Sequence, residues 1–231
     1  MTFDTAYHGP LGEEFAAHSE QSSWNAYIDR PAMLELAGDV TGQRVLDIGC
    51  GPGHYAAALI ERGAEVVGVD GSEVLLAHAR KRLGEGVELL RHDLEAPLHF
   101  ASDASFDAIV CALVYHHIHD RKQLLAEFLR VLRPGGRLLL STTHPSADWR
   151  WAGGSYFSQD WIDLPSASGK LSIHYQRMTV ESLLGEFLGA GFVLERLVEP
   201  QPSKALREVD PAAFDKLNQK PSLLALRLRR T

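Results

Sequence analysis

Apolar and polar positions between residues 44 and 142 follow two alternating periods. Short apolar runs, RVLDIG, EVVGVD, VELLRHD, FDAIVCALV and GRLLLST, are separated by stretches of helical spacing, the pattern of βαβ units wound onto a parallel sheet. Leu75, Ala79 and Leu83 recur at the helical interval behind Ser72, whose hydroxyl suits a helix start, and Gly84 supplies the stop. A later helix is predicted from about Asp120, with Leu124, Leu125, Phe128, Leu129 and Leu132 on one stripe and an end at Arg133-Pro134-Gly135-Gly136.

Outside this region the signal changes character. Residues 22–37 predict a helix that carries Trp24 and Tyr27 and breaks at Pro31. From 146 to 176 the period fades and WRWAGGSYFSQDW mixes aromatics, glycines and acids, which predicts a lid or binding loop, or irregular strands. A helix over 180–190, a strand over 192–199 and a last apolar run, LLALRLR, follow.

The 231 residues suit one domain, and 45% hydrophobic with 23% charged residues is ordinary globular composition. No apolar run approaches the roughly 20 residues that span a bilayer, and MTFDTAYHGP lacks a basic stretch followed by an apolar one. The expectation is a cytoplasmic protein with no membrane partner. Thirty acids against 23 bases, a formal charge of -7, argue against a nucleic-acid partner, which needs a concentrated basic face. Cys50 and Cys111 lack a C-x-x-C spacing, so both read as free thiols.

The chemistry concentrates in VLDIGCGPGHY. Gly49, Gly51 and Gly53 permit a sharp turn from strand to helix and close approach of backbone to a ligand, beside the free N–H groups of a helix start. A dinucleotide loop would need its third glycine at position 54, which is His54, and no G-K-[ST] follows for a P-loop. Asp70 lies 21 residues beyond Gly49 at the end of the second run, where a carboxylate can accept both hydroxyls of a ribose. Asp93, in RHDLEAP, can accept from an adenine amino group with Leu94 against the ring, or simply close a turn.

In order along the chain, VLDIGCGPG, GVDGS, HDLEAPL, FDAIVCALVYHHI and LRPGGRLLLS resemble the successive motifs of class I S-adenosylmethionine-dependent methyltransferases, over about residues 44–142. The resemblance implies an α/β fold, a Rossmann-like doubly wound seven-stranded sheet in an α/β/α sandwich, with LLALRLR as an antiparallel last strand. It also implies S-adenosylmethionine lying across the carboxyl ends of the first and fourth strands. Asp47, Gly49, Gly51 and Gly53 would hold its methionine side, Asp70 with Gly71 and Ser72 the ribose, and Asp93 with Leu94 the adenine, with Cys111 alongside. The implied organisation is a single methyltransferase domain over 1–231: a helical cap (1–43), a cofactor-binding core (44–142), a substrate-side insertion (143–178) and a C-terminal helix and strands (179–231).

Asp47 sits inside an apolar strand, so it must accept hydrogen bonds from the loop as a cap or face the cofactor ammonium. Arg30, in NAYIDRPA, can pair with the cofactor carboxylate and Tyr27 can add a hydroxyl; a surface arginine before Pro31 is the plain alternative. In YHHIH, His116 and His119 would share a helix face, but no third ligand is spaced nearby, so no metal is expected. His116 and His117 are instead candidates to orient or deprotonate an acceptor hydroxyl or amine, with His144 in second place. Trp149, Trp151, Tyr156, Phe157 and Trp161 wall a substrate pocket or pack on one another.

These readings predict methyl transfer to a small-molecule substrate at oxygen, nitrogen or carbon. CALVYHH lacks the Asn/Asp-Pro-Pro-aromatic motif of DNA amino-methylation. The competing functions are a non-methylating enzyme or binding protein that keeps the fold, and a nicotinamide-dependent oxidoreductase.

Overall fold

Each of the five apolar runs becomes a parallel strand in the computed structural model, which describes residues 7–231. They are β1 (Arg44–Ile48), β2 (Glu65–Asp70), β3 (Glu88–Arg91), β4 (Phe106–Ala112) and β5 (Leu132–Thr143). β6 (Trp161–Pro165) and β7 (Ser172–Gln176) form a separate antiparallel hairpin, and β8 (Phe192–Val198) and β9 (Leu223–Arg230) complete the main sheet. Its order is β3-β2-β1-β4-β5-β9-β8, with β9 antiparallel to both neighbours. The last apolar run is therefore the antiparallel strand. The connections reverse direction between β1 and β4, and this switch opens a crevice at the carboxyl ends of the strands.

Helices cover both faces, which is why the strands read as continuous apolar runs. On one face Leu46, Ile48, Ile109, Leu138 and Leu140 pack against Leu124, Leu125 and Phe128 of α5 (Arg121–Val131) and Leu183 and Phe187 of α7 (Val180–Ala190). On the other, Val45, Val66, Val110 and Leu139 meet Met33 and Leu36 of α2 (Arg30–Ala37) and Leu59 of α3 (His54–Ile60). Each fully buried aliphatic side chain contributes about 1.5–3 kcal/mol. α4 (Glu73–Leu83) has the predicted ends, with Ser72 Oγ accepting from Leu75 N–H at 3.3 Å and Gly84 at the C-cap.

Several boundaries differ from the sequence reading. Residues 22–37 resolve into a π-helical turn, Asn25–Asp29, and α2, whose first turn contains Pro31; proline starts this helix because its missing N–H lies where no intrahelical partner exists. Helix α5 stops at Val131, so Leu132 opens β5 instead of closing the apolar stripe, and Arg133-Pro134-Gly135-Gly136 lie within β5, beside a slip in its register with β4. The 146–176 segment contains the hairpin and most of α6 (Pro145–Ala152). A first helix, α1 (Gly9–Ser19), and two short late ones, α8 (Lys204–Val209) and α9 (Pro211–Leu217), were not foreseen.

Candidate active site

The crevice is a cavity of about 830 Å³ at the carboxyl ends of β1, β2, β4 and β5, roofed by α1 and the β6–β7 hairpin. Glu14 of α1 joins the two halves of the roof by accepting from the backbone N–H and the hydroxyl of Ser168, both at 2.7 Å. The glycine turn forms the floor. Gly49 has φ +65°, and a Cβ there would lie 2.3 Å from Val114 Cγ2, so only glycine fits against the loop after β4. Asp70 clamps the turn from the next strand: Gly51 N–H donates to Oδ2 and Ser72 N–H to Oδ1, both at 2.8 Å. Burial outweighs these two amides and raises its pKa.

Orphaned polar atoms collect beside this turn. Asp47 Oδ2 is buried with no hydrogen-bond partner among the described residues; burial first, then the charge of Asp70, push its carboxyl up to about 7. Asp29, at the end of the π turn, accepts from Tyr55 OH at 2.6 Å through Oδ2, while its Oδ1 is buried and unpartnered. Burial pushes Asp29 up to about 6. Arg30 Nε is likewise without a partner. Such atoms are costly unless something fills them, and two carboxylate oxygens with a guanidinium nitrogen complement a group bearing both an ammonium and a carboxylate. The residues present therefore fit the amino-acid end of S-adenosylmethionine.

The other end is built around a single 3₁₀ turn, Tyr115–His117, in place of a helix. His117 Nδ1 lies 2.8 Å from the carbonyl oxygen of His174 on β7. A carbonyl only accepts, so Nδ1 carries the proton and Nε2 is left as an acceptor. His116 Nδ1 meets the Thr142 hydroxyl at 2.8 Å, and the two imidazole centroids are 4.4 Å apart. Burial pushes His117 down to about 4 and His116 well below the usual histidine range, so both are neutral near pH 7. Asp148 of α6 accepts from Tyr175 OH at 2.7 Å and from Thr143 Oγ1 at 3.0 Å, and burial pushes it up to about 6. Among the described residues no three His, Cys, Asp or Glu side chains converge to hold a metal ion.

Of the residues singled out from sequence, Arg30, Gly49, Gly51, Asp70 and Gly71 line one part of the wall. Asp93, Leu94, His116 and His117 line the rest, with Asp93 Oδ1 also accepting from Glu95 N–H at 3.0 Å. Six others lie off the wall. Tyr27 is outside the cavity and its carbonyl accepts from Ser203 N–H at 2.7 Å. His144 caps α6 by accepting from Ser146 N–H and meets Glu199 at 3.0 Å through Nε2, which takes it out of the cavity. Gly53 packs on Ala79 and Leu83, Ser72 caps α4, Cys111 is fully buried behind the wall, and Asp47 lies beneath the turn.

Among the aromatics, Trp151 reaches the cavity, Trp149, Tyr156 and Phe157 pack on one another, and Trp161 is stacked between His119 and His174. Sequence reasoning missed Asp29, Asp148 and Tyr175. An acid beside Arg30 and another in HPSADW were the available signals.

A family profile described as "Methyltransferase domain" matches residues 46–140. The chain is 31% identical over 174 residues to a demethylmenaquinone methyltransferase of Thermotoga maritima, covering 74% of each. It is 35% identical over 112 residues to a ubiquinone biosynthesis O-methyltransferase of Aeromonas salmonicida, covering 48% of this chain and 47% of that one, about half the length of that relative. An S-adenosylmethionine-dependent methyltransferase structure from Mesorhizobium loti superposes with a TM-score of 0.71 at 27% identity, over 91% of this chain and 99% of that chain. Among the described residues no helix is long and apolar enough to cross a membrane. With its ordered motifs, its strand order and its likeness to the Thermotoga enzyme, the chain belongs to the class I S-adenosylmethionine-dependent methyltransferases.

Proposed function

We propose that the cavity binds S-adenosylmethionine with its amino-acid end at Arg30 and Asp29, over the Asp47 carboxyl beneath the glycine turn, and that the chain methylates a small-molecule acceptor at oxygen, nitrogen or carbon. The observation that carries this reading is Asp29 and Arg30 together on the cavity wall, each with a buried, unpartnered polar atom, above the orphaned Asp47 Oδ2 beneath the glycine turn. Gly49 and Gly51 give the backbone approach, Asp70 and Gly71 take the ribose, and Asp93 and Leu94 take the adenine. Gly53, Ser72 and Cys111 support the wall from behind. The bound cofactor supplies a methyl group already activated on a sulfonium.

The chain's own contribution is alignment, exclusion of water and, for a protonated acceptor, removal of one proton. His117 Nε2 is the atom assigned to take that proton from a hydroxyl or amine, since its other nitrogen is committed to His174. His116, held by Thr142, orients the acceptor. His144 serves α6 instead. Relatives named for ubiquinone biosynthesis and for demethylmenaquinone support a ring-bearing acceptor.

The chain acts as a single methyltransferase domain, with 44–142 as the cofactor core, 143–178 on the acceptor side and the helical elements before residue 44 as a cap, whose first six residues lie outside those described. The net charge of -7 supports a function without nucleic acid, and the unpaired Cys50 and Cys111 support a cytoplasmic location. Thermal unfolding with S-adenosylmethionine, S-adenosylhomocysteine and NAD tests the reading. The first two are expected to raise the melting temperature and NAD to leave it unchanged; stabilisation by NAD alone overturns it.

A further inference from the structure

The acceptor end of the cavity has an unusual donor balance. The Thr143 and Tyr175 hydroxyl protons are both spent on Asp148, and the His117 Nδ1 proton is spent on the His174 carbonyl. What these groups leave for a ligand is accepting capacity: the remaining lone pairs of Asp148, a wall residue that is 5% exposed, and Nε2 of His117. A ligand group that meets Asp148 or His117 Nε2 has to bring the hydrogen.

Charge points the same way. Among the described wall residues the carboxylates are Glu14, Asp29, Asp70, Asp93, Glu95 and Asp148, while Arg30 is the only lysine or arginine. Arg177, whose charge is felt at Asp148, lies off the cavity wall and donates to the carbonyls of Gly153 and Ser155. An anionic group brought against Asp148 from the cavity would meet a like charge, with Arg177 on the far side of the carboxylate and no cation on the near side.

Resting on the methyltransferase reading above, we propose that Asp148 sets acceptor specificity: it receives a hydrogen-donating group that is neutral or cationic, and turns away acceptors that bring a negative charge to that position. The substrate class is a hydroxyl- or amine-bearing ring compound without carboxylate, phosphate or sulfonate at the reacting end. In the reaction the donated hydrogen bond fixes the ring, the acceptor proton passes to His117 Nε2, and the acceptor atom takes the methyl group as the sulfonium becomes the neutral thioether of S-adenosylhomocysteine. The competing role for Asp148 is purely architectural, since through Thr143 and Tyr175 it also ties β5, α6 and β7 together.

The test is calorimetry near neutral pH on protein loaded with S-adenosylhomocysteine, with catechol, dopamine and protocatechuate as probes that share a dihydroxylated ring and differ in charge. Catechol and dopamine are expected to bind at least about tenfold more tightly than protocatechuate, and Asp148→Asn to shrink that gap below about threefold. Tyr175→Phe, which keeps the carboxylate, should keep the gap. Equal or tighter binding of protocatechuate overturns the proposal, as does binding of none of the three to the loaded wild type. An equal loss for all three in Asp148→Asn assigns the residue to architecture. The wild-type comparison stands even if the variant fails to fold. Failure of S-adenosylhomocysteine itself to bind is a separate outcome, which removes the methyltransferase reading and this proposal with it.

Discussion

Replacing Asp47 by Asn removes a buried charge without changing the size of the side chain, and its effects on stability and on ligand affinity should have opposite signs. In the folded protein burial and the neighbouring Asp70 push the Asp47 carboxyl from the usual 3.8 to about 7. The native state therefore holds a proton that the unfolded chain releases. Its contribution to stability is fully present below about pH 4 and is lost as the pH rises toward about 7, leaving an ionised group that costs the free protein about 4 kcal/mol at pH 8.

Asn cannot ionise, so urea unfolding without cofactor should show wild type and Asp47→Asn alike near pH 4 and the variant about 2–4 kcal/mol more stable near pH 8. The same variant should bind S-adenosylhomocysteine about 10- to 100-fold more weakly near pH 8, the usual loss for a hydrogen bond to a charged group. A variant less stable than wild type at the higher pH, with unchanged affinity, would show that Asp47 is a satisfied cap of the glycine turn and refute this account.

Asp70→Ala should weaken cofactor binding by about 1.5–3 kcal/mol by calorimetry, and should also loosen the turn, because the Gly51 and Ser72 amides lose their acceptor. His117→Ala should slow transfer to a hydroxyl acceptor by about 10²- to 10⁴-fold with cofactor affinity nearly unchanged. Because burial holds His117 down near 4, the acidic limb of the wild-type pH–rate profile should fall well below the ordinary histidine range; a limb near that ordinary value would assign the base elsewhere. Residues 146–176, whose hairpin is fastened to α1 through Glu14 and Ser168, should gain hydrogen-exchange protection when cofactor and acceptor bind, and equal protection in both states would make them a fixed wall.

The sheet was legible because helices cover both faces of β1, β2, β4 and β5, so those strands are written as unbroken apolar runs. The glycine turn and Asp70 were legible for a different reason: backbone approach and a fixed strand-to-strand offset leave a residue-level trace. The hairpin did not show because, apart from the buried Tyr175, Trp161–Pro165 and Ser172–Gln176 are partly or fully exposed and carry no clean alternation. Arg133-Pro134-Gly135-Gly136 looked like a simple stop because a proline and two glycines end a helix in the same residues that here let β5 slip past β4.

Which histidine faces the acceptor was illegible in principle. His116 and His117 are neighbours, and what separates them is a carbonyl 57 residues away on β7. Asp148 is inconspicuous as a letter in HPSADW and acquires its character from burial against Tyr175 and Thr143, partners that only the tertiary fold supplies.

The placing of β9 between β5 and β8 has a consequence for the order of assembly. β8 has β9 as its one partner in the sheet, and the flank of β5 away from β4 is closed by the same strand. Arg137 pairs with Arg229 and Thr143 with Leu223, so during synthesis the cofactor half can form its β3-β2-β1-β4-β5 core while β5 still presents an open, largely apolar edge. That edge stays available to other chains until the residues of β9 arrive and slot into the gap. The main sheet is thus completed by its longest-range strand pairing, and until then the β5 edge is a template for pairing with another chain.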